Sequence, residues 1–160
     1  MADITDHAEI VSTIRALPGR IEPLVAGRTR EDIAQRPSQD EWSALEVCCH
    51  LRDSGEISVQ RIDRLATEDE TVLEPYDEGA LALERKYRED DLGRVLQALR
   101  SAWSGLADLL ASLPESAWQR AGAHPERGAV SIDSEARRYA DHARLHLQQI
   151  EAVLHKLPTS

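Results

Sequence analysis

The strongest constraint on this chain is a seven-residue recurrence near its C-terminal end. Ala136, Ala140, Ala143, Leu147, Ile150, Leu154 and Leu157 return to one face at alternating spacings of four and three. A stripe of that period marks a helix whose apolar seam must be covered by other helices. The spacing predicts a helix that opens near Ser131 or Ile132 and runs to about Lys156.

Three further stretches carry helical periodicity. Ile10, Val11, Ile14, Leu17, Ile21, Leu24 and Val25 form the first, with Pro18 expected to kink or split it and Gly27 to stop it. The second opens at Ser43-Ala-Leu-Glu46, a capping box in which serine and glutamate satisfy each other's free amides. Its stripe is Ala44, Cys48, Leu51, Gly55, Val59, Ile62 and Ala66, ending near Leu65 or Thr67. The third opens near Asp90 or Asp91 and ends before Pro114, with Leu92, Val95, Leu96, Leu99, Trp103, Leu106, Leu109 and Leu110 as its core.

Between them, "TREDIAQRPSQDE" reads as a helical turn and a loop. "EDETVLEPYDEGALALERKY" is a long connection with a short helix around residues 78–87. "LPESAWQRAGAHPERGAV" is a second long connection, broken by Pro114, Gly122, Pro125 and Gly128, and carries no expected strand. The expected fold is all-α: a four-helix bundle formed by residues 1–160 as a single domain, with room in the long second and third connections for a crossover.

The charge balance excludes several partners. With 160 residues and a formal net charge of −10, the chain is a poor match to nucleic acid or an anionic membrane surface. The start "MADITDHAEI" has no basic region followed by an apolar run, and no apolar run reaches the roughly 18 residues of a membrane span. The two cysteines are adjacent, so they point about 100° apart on a helix and do not suit a disulfide. The expectation is a cytoplasmic protein acting on a small molecule.

Six histidines remain to be explained. In "DHARLHLQQI", His142 and His146 stand four apart. With Ala143 at zero and about 100° per residue, they fall about 100° and 60° to the same side, at one edge of the apolar stripe. Two imidazoles one turn apart can ligate one ion, or can simply bond carboxylates or backbone. His155 is too far along the same helix to join them, His7 lies near the chain start, and His124 lies beside Pro125 in a loop. His50 sits on the flank of the second helix's stripe, where a bundle edge could face the pair. Its alternative is one hydrogen bond at a helix flank.

One histidine on the second helix and an H-x3-H pair on the fourth are also where the chain resembles a known family. The segments "PSQDEWSALEVCCHLRDSGE", "LPESAWQRAGAHPERGAVSI" and "DHARLHLQQI" resemble, in order and spacing, the DinB-like (DinB/YfiT-like) superfamily of candidate metalloenzymes. The resemblance covers most of the chain. It implies a bundle in which His50, His142 and His146 bind one divalent metal, often nickel or zinc, that also takes waters. It further implies, for several members, transfer or isomerisation with a low-molecular-weight thiol as cosubstrate, and it makes a homodimer the expected assembly.

Cys48-Cys49 departs from the small or aliphatic residues expected there. Cys48 lies about 160° from His50 on the apolar stripe and Cys49 about 100° away, so neither is placed as a ligand. Asp53 could bond a ligating imidazole, and Gln149, three beyond His146, could orient that ring. Arg61 lies roughly 16 Å along the helix from His50, beyond reach of a metal. It is the candidate cofactor-binding residue, able to hold the distal part of an anionic substrate or thiol; a surface salt bridge is its plainer role.

Three neutral imidazoles leave an ion its full charge, so it can acidify bound water or hold a thiolate. The expected activity is a metal-dependent S-transferase or hydrolase. The alternative is a non-catalytic metal-binding or stress-related interaction bundle.

Overall fold

The computed structural model describes residues 6–157. Four long helices carry the architecture: α1 (His7–Val25), α3 (Ala44–Thr67), α5 (Leu92–Ser112) and α6 (Ile132–Lys156). Two short helices, α2 (Arg30–Ala34) and α4 (Glu78–Glu84), lie in the first and second connections. No helix among the described residues is long and apolar enough to cross a membrane.

Each long helix begins where its side chains satisfy the free amides. Asp6 accepts from Ala8 N, and Asp91 from Arg94 N. Ser43 and Glu46 form the expected capping box, and Ser131 pairs with Ser134 in the same way. Such caps are worth about 1 kcal/mol each and fix where a helix starts, hence which residues face inward. The seven residues of the repeat in α6 are all buried.

α1 runs unbroken through Pro18 and Pro23 rather than splitting at Pro18. Pro18 is itself buried. A proline removes one backbone bond, and burial of Ile14, Leu17 and Ile21 on either side outweighs it. Gly27 adopts a φ of 75° just beyond the helix, the left-handed stop that glycine allows.

α3 and α1 both pack against α5 and α6, which puts α1 and α3 on one diagonal of the bundle and α5 and α6 on the other. The first and third connections therefore cross the bundle end, while the second joins neighbours. The third connection also holds a feature the sequence reading lacks. Strands β1 (Ala121–His124) and β2 (Gly128–Ser131) pair antiparallel around a turn that closes on Gly128, whose φ is 77°. Neither strand carries the β-branched alternation that marks a strand in sequence. Their stability is tertiary: Ala123 N donates to Thr71 O and Leu73 N to Ala123 O, both at 2.8 Å. The hairpin thereby grips the segment leaving α3. A Cβ on Gly122 would stand 2.5 Å from Thr71 O, so only glycine permits that approach.

α3 meets α5 tightly at Gly55. Trp103 is buried and its Nε1 donates to Leu51 O at 2.8 Å. A Cβ at Gly55 would lie 2.6 Å from that same nitrogen. Alanine at an unconstrained helix position stabilises by up to about 1 kcal/mol relative to glycine. Here the sign reverses. Gly55→Ala should lower stability by about 1–3 kcal/mol through overpacking against a rigid indole, seen as a lower urea midpoint at unchanged slope.

Candidate metal centre

His50 lies on the second turn of α3, and its angular position follows from the cap beneath it. Glu46 is tied to Ser43 and also accepts from Arg36 Nη2 at 2.6 Å, which fixes the start of the helix. His142 and His146 project from the middle of α6. Packing of α3 on α6 brings the three rings together, each offering one nitrogen, with those nitrogens within 4.8 Å of one another. His50 Nε2 and His146 Nε2 are 3.1 Å apart. Two nitrogens each about 2.0–2.1 Å from a tetrahedral ion stand about 3.3 Å apart, so this spacing suits a shared cation.

The surroundings keep His50 and His142 in the neutral form that binds metal. His50 is buried. Its pKa falls to about 3, first through burial and then through the neighbouring His146 and His142. His142 is also lowered, by burial and then by His146 and Arg138. The Nδ1 of His146 lies 2.8 Å from Gln149 Oε1. An amide oxygen only accepts, so Nδ1 carries the proton and Nε2 keeps its lone pair for the cluster. Gln149 thus has the orienting position expected for it.

Asp53 does not. It is buried one turn beyond His50, but it accepts from Tyr87 Oη, from Arg85 Nη1 at 2.6 Å and from Arg52 Nε at 3.1 Å. No hydrogen bond joins it to His50 among the described residues. The arginines and Tyr87 reach it from the second connection and from α3 itself, partners that helix geometry alone does not reveal.

Cys48 and Cys49 are buried free thiols outside the cluster, as expected. Burial pushes the Cys48 thiol up to about 12 and raises Cys49 as well. His7 belongs elsewhere: it stacks on Trp118 at 3.8 Å and lies 2.6 Å from Asp133 Oδ1. His124 is buried in the hairpin.

Three nearby residues escaped the sequence reading. Trp42 lies against His50, with ring centroids 5.4 Å apart. Glu78, on the first turn of α4, places Oε1 3.8 Å from His50 Nε2. Its place depends on the grip of the hairpin on residues 71–73 and on the cap from Asp77, which accepts from Ala80 N. The only local signal was that cap, which marks a helix start and not a site. A cavity of about 380 Å³ lined by Trp42, Glu78, His146 and Gln149 opens beside the cluster, which is therefore open on the His146 side.

The third is Arg138, one turn before His142. It lines a second cavity, of about 150 Å³, together with Arg61, Tyr76, Glu78 and His124. Arg61 is buried rather than on the surface. Its Nη2 donates to Glu74 O at 2.6 Å and its guanidinium lies 5.5 Å from the Tyr76 ring centre.

Comparison with known proteins supplies the lineage. A protein of Oceanobacillus iheyensis, named a candidate metal-dependent hydrolase, is 29% identical over 148 residues, covering 91% of this chain and 84% of its own length. YfiT of Bacillus subtilis, which bears the same description, is 24% identical over 144 residues, covering 88% and 79%. The solved YfiT structure, titled as a four-helix bundle of unusual topology, matches with a TM-score of 0.87 at 20% identity, covering 98% of this chain and 90% of that one. A second four-helix bundle, TT2238, matches with a TM-score of 0.66 at 19% identity, covering 92% and 99%. The model of the DinB superfamily matches residues 13–150, and the chain belongs to that superfamily.

Proposed function

We propose that this chain is a metal-dependent hydrolase in which His50, His142 and His146 hold one divalent ion of the zinc or nickel kind. The observation that carries the reading is the convergence of three imidazole nitrogens within 4.8 Å beside an open cavity. The names of the relatives point the same way. A three-nitrogen donor set leaves further positions for water and substrate, as catalytic rather than structural sites do. Bound there, the ion supplies Lewis acidity and makes a coordinated nucleophile acidic.

The residues of the chain supply the rest. Gln149 holds the His146 ring in one tautomer. Trp42 and the body of α3 keep water from His50. Glu78 is the general base: its carboxylate takes a proton from the attacking water and returns it to the leaving group. The same centre could instead hold a low-molecular-weight thiol as thiolate for transfer to an electrophile, and the assay below separates the two chemistries.

Protein purified without a metal-affinity tag and loaded with zinc or nickel should hold about one ion per chain by elemental analysis. His50→Ala and His146→Ala should each lose it, and a loaded wild-type protein without metal would overturn the reading. Gln149→Ala should keep the fold and weaken metal affinity about 10–100-fold in a competition titration with a chelator. Glu78→Gln should keep the metal while ester hydrolysis falls about 10²–10⁴-fold. Chelator-sensitive conversion of monochlorobimane only when a small thiol is added, with no hydrolysis, would favour transfer.

A further inference from the structure

The cavity of about 150 Å³ that shares Glu78 with the cavity beside the histidines is walled by three arginines in a chain whose net charge is −10. Two of the three are already committed. Arg127 Nη1 donates to Glu135 Oε1 at 2.5 Å, and Arg61 Nη1 lies 4.0 Å from Glu135 Oε2 while its Nη2 serves Glu74 O. Glu135 is fully buried and also accepts a hydrogen bond from Tyr139 Oη at 2.8 Å. Arg138 differs. It is half-buried, lines the same cavity, and has no hydrogen-bond or ion-pair partner among the described residues.

A neutral donor stands near it. His124 Nδ1 accepts from Glu126 N at 3.1 Å and from Arg127 N at 3.3 Å. The proton of the ring therefore sits on Nε2, which becomes a donor. The acids of the cavity wall are Glu78, beside His50, and Glu126. The three arginines face three acids, Glu135, Glu78 and Glu126, so the attraction for an anion is local to the Arg138 guanidinium. One forked guanidinium free to make two parallel hydrogen bonds suits a carboxylate.

We propose that this cavity is a subsite for the carboxylate of the substrate, gripped by Arg138, with Arg61 and Arg127 held in place as its walls. Arg138 stands about 6 Å along α6 from His142. A small acid bound there directs its other end across Glu78 toward the histidines. The identity of the ligand as substrate rests on the hydrolase reading; the subsite itself does not.

The test is an NMR titration with succinate and with its neutral counterpart succinamide, on the wild-type chain and on Arg138→Gln, each zinc-loaded and chelator-stripped. Succinate should bind both forms of the wild type and shift resonances of the hairpin and α6, and succinamide should not. Arg138→Gln should weaken succinate on the order of tenfold or more with its zinc content unchanged. Equal binding of succinate and succinamide, or of wild type and variant, overturns the subsite. Tighter binding of inorganic phosphate than of succinate overturns the carboxylate assignment. Succinate binding to a chain that takes up no zinc leaves the subsite standing and sinks the hydrolase reading alone.

Discussion

Two buried carboxylates hold the site end of the bundle together. Asp53 on α3 and Glu135 on α6 have side chains with no solvent exposure. A carboxylate in that position costs several kcal/mol unless its lone pairs are met by charged or hydroxyl donors. Asp53 is met by Arg52, Arg85 and Tyr87, and Glu135 by Arg127 and Tyr139 with Arg61 near. Burial pushes Glu135 upward, but the bonds from Arg127 and Tyr139 more than offset it and hold its carboxyl below the ordinary range. The donors come largely from the connections. Arg85 and Tyr87 belong to the second, Arg127 to the hairpin of the third. Each acid therefore pins a connection onto a helix that bears a histidine.

That pinning explains how a bundle with diagonal crossings presents a defined cavity. The hairpin is fastened to residues 71–73, Arg120 Nε bonds Leu65 O at the end of α3, and Arg61 bonds Glu74 O. The chain from 71 to 78 is thus held along most of its length before Glu78 reaches the histidines. The acidic surface of the chain and its arginine-walled cavity are compatible for a related reason: buried Glu135 keeps Arg61 and Arg127 aimed inward.

Much of this architecture is legible in the sequence. The cap at Ser43, the helix start near Ser131 and the stripe on α6 read correctly because they are local: spacing along one helix decides which side chains share a face. The pair His142 and His146 is of that kind, and so is the placement of Gln149 beside His146. The failures share a different cause. Asp53 seemed free to serve His50 until Arg85 and Tyr87, more than 30 positions away, claimed it. The hairpin was invisible because its four-residue strands are held by Thr71 and Leu73 rather than by their own β propensity. Glu78 and Arg138 carry no pattern at all; only their neighbours in space distinguish them from surface charges.

By itself the sequence determined the helices, their inward faces and the lineage, since periodicity and caps act within a few residues and the family motifs are strings. It could offer His50 as a partner for the pair on α6, because each lay at the edge of an apolar stripe. The approach of their nitrogens to one another was decided by tertiary structure, as were the burial that keeps His50 neutral and the cavity beside Glu78. Those properties depend on the distance between helices and on exclusion of water, and both arise only when separate segments pack.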